Sequence, residues 1–354
     1  MTRDEFMQLA AMHPVLSDLD CRGLALTNLC LGDSIVQRCD FSGCDFTGLV
    51  AVGTLFQACQ FNQACLSGVR FEQVLLKQCD FTQAALTHGH WDTLNASDCN
   101  FHQAKASGLV SDLCLLERCQ LTELSWSQGR QQNSLLKECD LTQADFSEQQ
   151  IELCVWEEVI THSLDLSRSR LTKSYFTELD LSTACLREID LLALQLNHCC
   201  LDHQDLSGIS MNHCYFMHSS LKGTCLNRTE AQYAVFTGAH FIGVDARGAR
   251  LQGANFAQAR LQQCDFRETS LTQSQFTQAA LNQVLFQGAT LDYADFSQSR
   301  LQQVNFYQAS LRYSQWHQIL EEEVHWRDSD RTGCSGTDPE RLAAENWPRR
   351  RRDS

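Results

Sequence analysis

The sequence predicts an all-β solenoid, and three observations predict it. Leu, Phe or a substitute stands at every residue number ending in 1 or 6 from Cys21 to Trp316, sixty units without one slip of register. Self-similarity of that length marks a stacked-repeat architecture. Within each unit a small residue precedes the large one by two, as in ARLQG, ANFAQ, ARLQQ and CDFRE over 249–268. Strand alternation turns both residues to one side. The two polar residues that complete each unit suit a turn.

The elements follow in chain order. Residues 1–18 form an N-terminal capping segment: Thr2 and Glu5 make a T-x-x-E capping box, Phe6, Leu9 and Ala10 give a helix an apolar face, and Pro14 ends it. Residues 19–318 are the solenoid. Its central residues alternate Leu and Phe from Leu251 onward, a large and small pattern that fills an interior without voids. Ala96, Ala106, Ser111 and Gln131 occupy central positions that want large apolar side chains, which marks this stretch as the least stable, with Trp91 and Trp126 as bulky neighbours to fill it. Residues 319–354 are read as a C-terminal cap and flexible basic tail. There ILEEEVHW leaves the pattern to cover the last coil, SDRTGCSGT is a flexible linker, and DPERLAAENW is a short helix with Asp338 as N-cap and Pro339 in its first turn. The tip, Arg349–Arg352, reads as a solvated tail, with docking to an acidic partner as the sharper reading.

The units match an A-(D/N)-L-x-x signature over 19–318, and the chain resembles the pentapeptide-repeat family. The resemblance implies a right-handed quadrilateral β-helix with one unit per side, four per coil and about fifteen coils, stacking to a rod of roughly 70 Å. Residues twenty apart then lie directly above one another.

That frame organises the nineteen cysteines. Twelve take the small inward position, and six of these, Cys39, Cys59, Cys79, Cys99, Cys119 and Cys139, fall in one ladder. Parallel side chains at rung spacing hold their Cβ atoms too far apart for relaxed disulfides, so buried, reduced thiols of a cytosolic protein are expected. His198 and His218 share a corner column, with His203 and His213 at other corners; no carboxylate joins them in a ligand motif, and no metal or cofactor is expected. Hydrolase, P-loop and CxxC motifs are missing, and a solid interior offers no concave pocket, so no enzyme activity is expected.

A net charge of −15 argues against direct nucleic-acid binding. No apolar run approaches a membrane span, and the first residues carry acids where a signal peptide wants bases, so the expected location is the cytoplasm.

The functional clue is a surplus leucine. In SLLKECDLTQ, residues 134–143, Leu135 precedes the central Leu136 and must point outward. Its column reads Ile35, Leu55, Leu75, Asn95, Leu115, Leu135, Val155, Tyr175, Gln195, Tyr215 and Val235, nine of eleven large and apolar. The other three outward columns hold few large apolar residues, Ile160 in one, Val50 and Val110 in another, and mostly Ala, Cys and Asp in the third, so a general strand preference does not explain it. The expected result is an apolar stripe ~48 Å long, exposing on the order of 500 Å² and rimmed by Lys77, Glu117, Arg118, Lys137, Glu138, Glu157 and Glu158. Those nine residues are the candidate binding site for another protein or a second copy of this chain.

The reading is a non-catalytic adaptor or scaffold. The lead-in TRDEFMQLAAMHPVLSDLDCRGLALTNL resembles the start of repeat segments in accessory proteins of type VI secretion clusters, which implies a part in loading an effector or spike component. The acidic body also resembles quinolone-resistance pentapeptide proteins, which implies the alternative, a DNA-mimicking regulator of a type II topoisomerase. Asp before the central residue belongs to the family signature, however, and no loop interrupts the frame.

Overall fold

Stacked rungs pair residues twenty apart, and the hydrogen bonds between them reach one residue to either side of that register. In the computed structural model, which describes residues 1–346, Phe41 donates its N–H to the carbonyl of Gln60 at 2.8 Å, and Leu135 donates to Cys114 at 2.8 Å. The chain thus satisfies its backbone with the coils on either side, as a solenoid must. It divides into two compact units, Met1–Cys200 and a second that starts at Leu201.

The first unit holds two nine-stranded parallel sheets. One runs from Val15–Ser17 through Ile35–Gln37 and Leu135–Lys137 to Tyr175–Phe176, the other from Cys30–Gly32 to Asp190–Leu192. The two remaining sides are ladders of single parallel bridges, such as Asp40↔Gln60 and Asp45↔Cys65. The second unit repeats the plan with a five-stranded sheet from His240–Ile242 to Leu320–Glu322, and bridge ladders elsewhere. The expected all-β solenoid of four-unit coils is what the chain forms.

Side-chain chemistry explains each position. The small residue and the large one both point inward and are buried from Leu26 to Trp316. The last residue of the unit turns the corner in the left-handed region, as Gln83 at φ 58° and Gln283 at φ 57° do. Of the described non-glycine residues there, Thr93 alone is β-branched, because a branched Cβ crowds this conformation most. Aspartates in the outward position accept the N–H two residues on: Asp80 from Thr82 at 2.9 Å, Asp140 from Thr142 at 2.9 Å, Asp295 from Ser297 at 2.8 Å. That bond holds the turn. Corner glutamines form amide ladders, Gln263 to Gln283 at 3.1 Å and Gln283 to Gln303 at 2.9 Å.

The Leu and Phe alternation becomes two aromatic stacks in the second unit. Phe256, Phe276 and Phe296 stack at 4.8 Å, 3° from parallel, and Trp316 follows at 4.4 Å. Phe286 and Phe306 stack at 5.2 Å and meet the first column edge-on. In the first unit the weak stretch is buried as expected. Trp91 and Trp126 meet edge to face at 5.5 Å, and Ser111 and then Gln131 follow Trp91 on its ladder. The Gln131 amide oxygen and nitrogen, the Ser111 hydroxyl and the Trp91 indole nitrogen are buried without hydrogen-bond partners among the described residues.

The ends differ from the expectation. Helix α1, Arg3–Met12, carries the Thr2–Glu5 capping box and buries Phe6 edge-on against Phe41 at 5.9 Å. Rungs begin at Val15–Ser17, earlier than residue 19, because Leu16 already fills a central position over Val36. They also run past residue 318. Leu320–Glu322 pairs with Arg300–Gln302, and bridges continue through Asp330 and Ser335. The segment read as cap and flexible linker is therefore another coil. Trp326 extends the Phe306 stack at 4.7 Å with the Arg331 guanidinium over its ring, and backbone pairing tolerates an exposed Glu321 at the end. Helix α2, Pro339–Glu345, is capped by Asp338. Buried His317 anchors it, accepting from the Asp338 N–H at Nδ1 and donating from Nε2 to Glu345, each at 3.1 Å. Arg349–Arg352 lie outside the described residues.

Candidate protein-binding face

Alternation decides where the surplus leucines go. Ile35, Leu55, Leu75, Asn95, Leu115, Leu135, Val155 and Tyr175 pair in sequence along one sheet of the first unit, all with outward side chains. Ile35 and Leu75 are each 40% exposed and Tyr175 48%. Leu55, Leu115, Leu135 and Val155 are half-buried, because each rung neighbour covers part of the next. From Ile35 to Tyr175 is seven steps, about 34 Å. Tyr215 and Val235 belong to the second unit, where they bridge to each other. The stripe in a single unit is thus shorter than the sequence implied.

Three further residues extend it, one along the column and two beside it. Val15 is paired with Ile35 and exposed. Leu113 and Leu153 stand at the corners that lead into Leu115 and Val155, 56% and 45% exposed. A polar residue is the rule at that corner, so leucine there was the available signal. The rim charges are partly spent within the chain: Arg118 holds Glu117 at 2.6 Å and Asp98 at 2.8 Å, and Lys137 faces Glu138 at 4.0 Å.

All nineteen cysteines are thiols, thirteen of them buried. In the ladder, Cys59 and Cys139 donate to the carbonyls of Val36 and Leu116, each at 3.4 Å. Burial pushes the Cys114 and Cys199 thiols up to about 12, and Cys154 and Cys264 to about 11. They stay protonated at neutral pH, and the thiolate is the reactive form. Alkylation of the native protein at pH 8, followed by mass spectrometry, is expected to modify only Cys30, Cys65, Cys185, Cys200, Cys225 and Cys334 rapidly, and all nineteen after unfolding. Rapid labelling of Cys79 or Cys114 would contradict the burial.

His198, His203, His213 and His218 are exposed corner residues. Among the described residues no group of three or more His, Cys, Asp or Glu is placed to hold a metal. A concave feature does lie on the surface: in the second unit Ser207, Gly208, Cys225, Asn227, Arg228, Arg247, Gly248, Arg267 and Glu268 line a groove of about 720 Å³. It lies outside the packed interior, at a corner, where two glycines leave space that side chains fill on other coils.

Two family models match this chain. One, described as a pentapeptide repeat region, covers 234–296 and 259–332; the other, pentapeptide repeats (8 copies), covers 34–73. The chain is a pentapeptide-repeat protein. Solved structures similar to this pentapeptide-repeat chain include HetL of the cyanobacterium Nostoc sp. strain PCC 7120, involved in heterocyst differentiation regulation, at 19% identity over 71% of this chain and 90% of that one, TM-score 0.22. Trypsin-treated QnrB1, a plasmid-mediated fluoroquinolone resistance protein, is 19% identical over 50% and 92%, TM-score 0.30. A pentapeptide-repeat protein of the Arabidopsis thaliana thylakoid lumen is 24% identical over 28% and 65%, TM-score 0.16. At these values no role passes from them to this chain. No curated protein matches at a significant level. Proteins of this repeat are generally structural or interaction modules. No helix among the described residues is long and apolar enough to cross a membrane.

Proposed function

We propose that this pentapeptide-repeat protein is a non-catalytic adaptor or scaffold of the cytoplasm, which binds a partner protein or a second copy of itself through the outward face of the Ile35–Tyr175 sheet. One observation carries the reading: seven of eight consecutive rungs place a large apolar residue outward on this wall. Contiguous exposed apolar surface of this extent on a soluble protein marks an interaction site. Loading of a secretion effector is the finer form of this role, and it rests on the N-terminal lead-in alone. The alternative, topoisomerase regulation by DNA mimicry, draws on the aspartate columns. Those carboxylates accept the corner N–H groups, so the fold itself accounts for them.

The test is the double substitution Leu115→Glu with Leu135→Glu. Both side chains are half-exposed, so the fold is expected to keep its melting temperature within a few degrees. Partner affinity, measured by calorimetry or by self-association in the ultracentrifuge, is expected to fall about 30-fold or more, the effect of truncating the centre of an interface. Unchanged affinity in a folded variant would refute the face, and a loss confined to topoisomerase protection would favour mimicry.

A further inference from the structure

The groove of the second unit is built around three arginines. Arg247 and Arg267 occupy the same corner one coil apart. Arg247 grips Asp245 through Nε at 2.9 Å and Nη2 at 2.7 Å. Arg267 grips Asp265 in the same way, at 2.9 and 2.6 Å. Asn227 fixes Asp245 from the far side at 3.0 Å. Each guanidinium is therefore oriented by its own carboxylate, with Nη1 left without a partner among the described residues. The grip of Arg247, with burial opposing it, brings the Asp245 carboxyl down to about 2.

The third arginine completes the wall. Arg228 has no ion-pair partner among the described residues, and its stem lies over Gly248, where a Cβ would meet Arg228 Cγ at 3.7 Å. Gly208 and Gly248 flank Arg228 in its column, both in the left-handed conformation at φ 69° and 66°. A bare corner on each side opens the hollow. Three guanidinium groups and one carboxylate, Glu268, line it, in a chain whose net charge is −15. An Arg–Asp pair of the same design at Arg22 and Asp20 has no second copy on the next coil, where Ser42 follows Asp40.

We propose that this groove binds the phosphate or diphosphate group of a small ligand. Planar guanidinium edges matched in pairs suit ionised phosphate oxygens, and the volume is that of a small-ligand site. Guanidinium groups held in place by aspartates lose little freedom on binding, which favours affinity. Asn227 and Ser207 add polar groups at the wall. The site is remote in kind from the apolar face and does not depend on it.

The experiment is calorimetric titration of the full chain with pyrophosphate, inorganic phosphate and acetate at matched ionic strength. Pyrophosphate is expected to bind at a single site and acetate not to bind. Arg228→Gln is expected to weaken pyrophosphate by about tenfold or more, the worth of one hydrogen bond to a charged group. The fold tolerates that change, because Gln258 and Gln278 occupy equivalent corners with φ 61° and 59°. Arg22→Gln, which removes a matched Arg–Asp pair outside the groove, is expected to leave the affinity unchanged. No saturable binding of millimolar pyrophosphate, equal binding by Arg228→Gln, or equal losses in Arg22→Gln would each overturn the assignment.

Discussion

Replacing Phe276 with Ala is expected to destabilise the second unit by about 3–5 kcal/mol, among the largest effects of any single substitution. Phe276 is fully buried and stacks within 3° of parallel on Phe256 and Phe296, each 4.8 Å away, while Phe286 meets it edge-on at 5.9 Å. Alanine removes the ring from the middle of a column whose coils are fixed by backbone ladders above and below, so the walls have little freedom to collapse into the space. The absence of ring stacking on three sides adds to the cost of transfer. Phe276→Leu is the informative companion. Leucine is the other residue that central positions accept, and a loss below about 1.5 kcal/mol is expected. Urea unfolding checks the pair, and hydrogen exchange should show the amides of 251–301 losing protection first, because each coil depends on its nearest neighbours. Equal losses in the two variants would mean that stacking, not volume, governs this core.

The opposite sign is expected at Gln131. Its amide sits at a central position with neither oxygen nor nitrogen paired, between Ser111 and Ile151 on the ladder. An unmet buried polar group costs about 1–3 kcal/mol. Gln131→Leu restores the residue that most central positions carry at nearly the same volume, and a gain of about 1–3 kcal/mol is expected, read as a higher melting temperature. Gln131→Ala, which removes the amide but leaves a void, is expected to fall below Leu by the cost of the cavity. A Leu variant less stable than the parent would show that the Gln131 amide is engaged in solution. Gln149, an inward-facing residue one coil on from Gly129, reaches the carbonyl of Trp126 instead.

Much of this architecture was legible in the residues. A period of five with inward positions two apart turns every small and large residue to one side, and the resemblance to pentapeptide repeats implies the four units per coil that make the stacking interval twenty, the register the structure has. The neighbours of Leu135, Cys59 or Phe276 are therefore arithmetic. Local capping chemistry was equally plain: Thr2 with Glu5, and Asp338 before Pro339, signal their helices because the partners lie within four residues.

Register alone determined which side chains share a wall and which face inward, since both depend only on position along the chain. Tertiary structure decided how far each one reaches water and where the winding stops. Leu115 and Leu135 are half-covered by residues a full coil away, while Leu113 and Leu153 stand clear at their corners. The coil through Trp326 and Ser335 persists despite poor central residues, because backbone pairing and one aromatic stack hold it. The arginine groove exists only where glycines on two coils withhold their side chains beside Arg228. Exposure, termination and hollows are sums over neighbours in three dimensions, and a one-dimensional frame does not contain them.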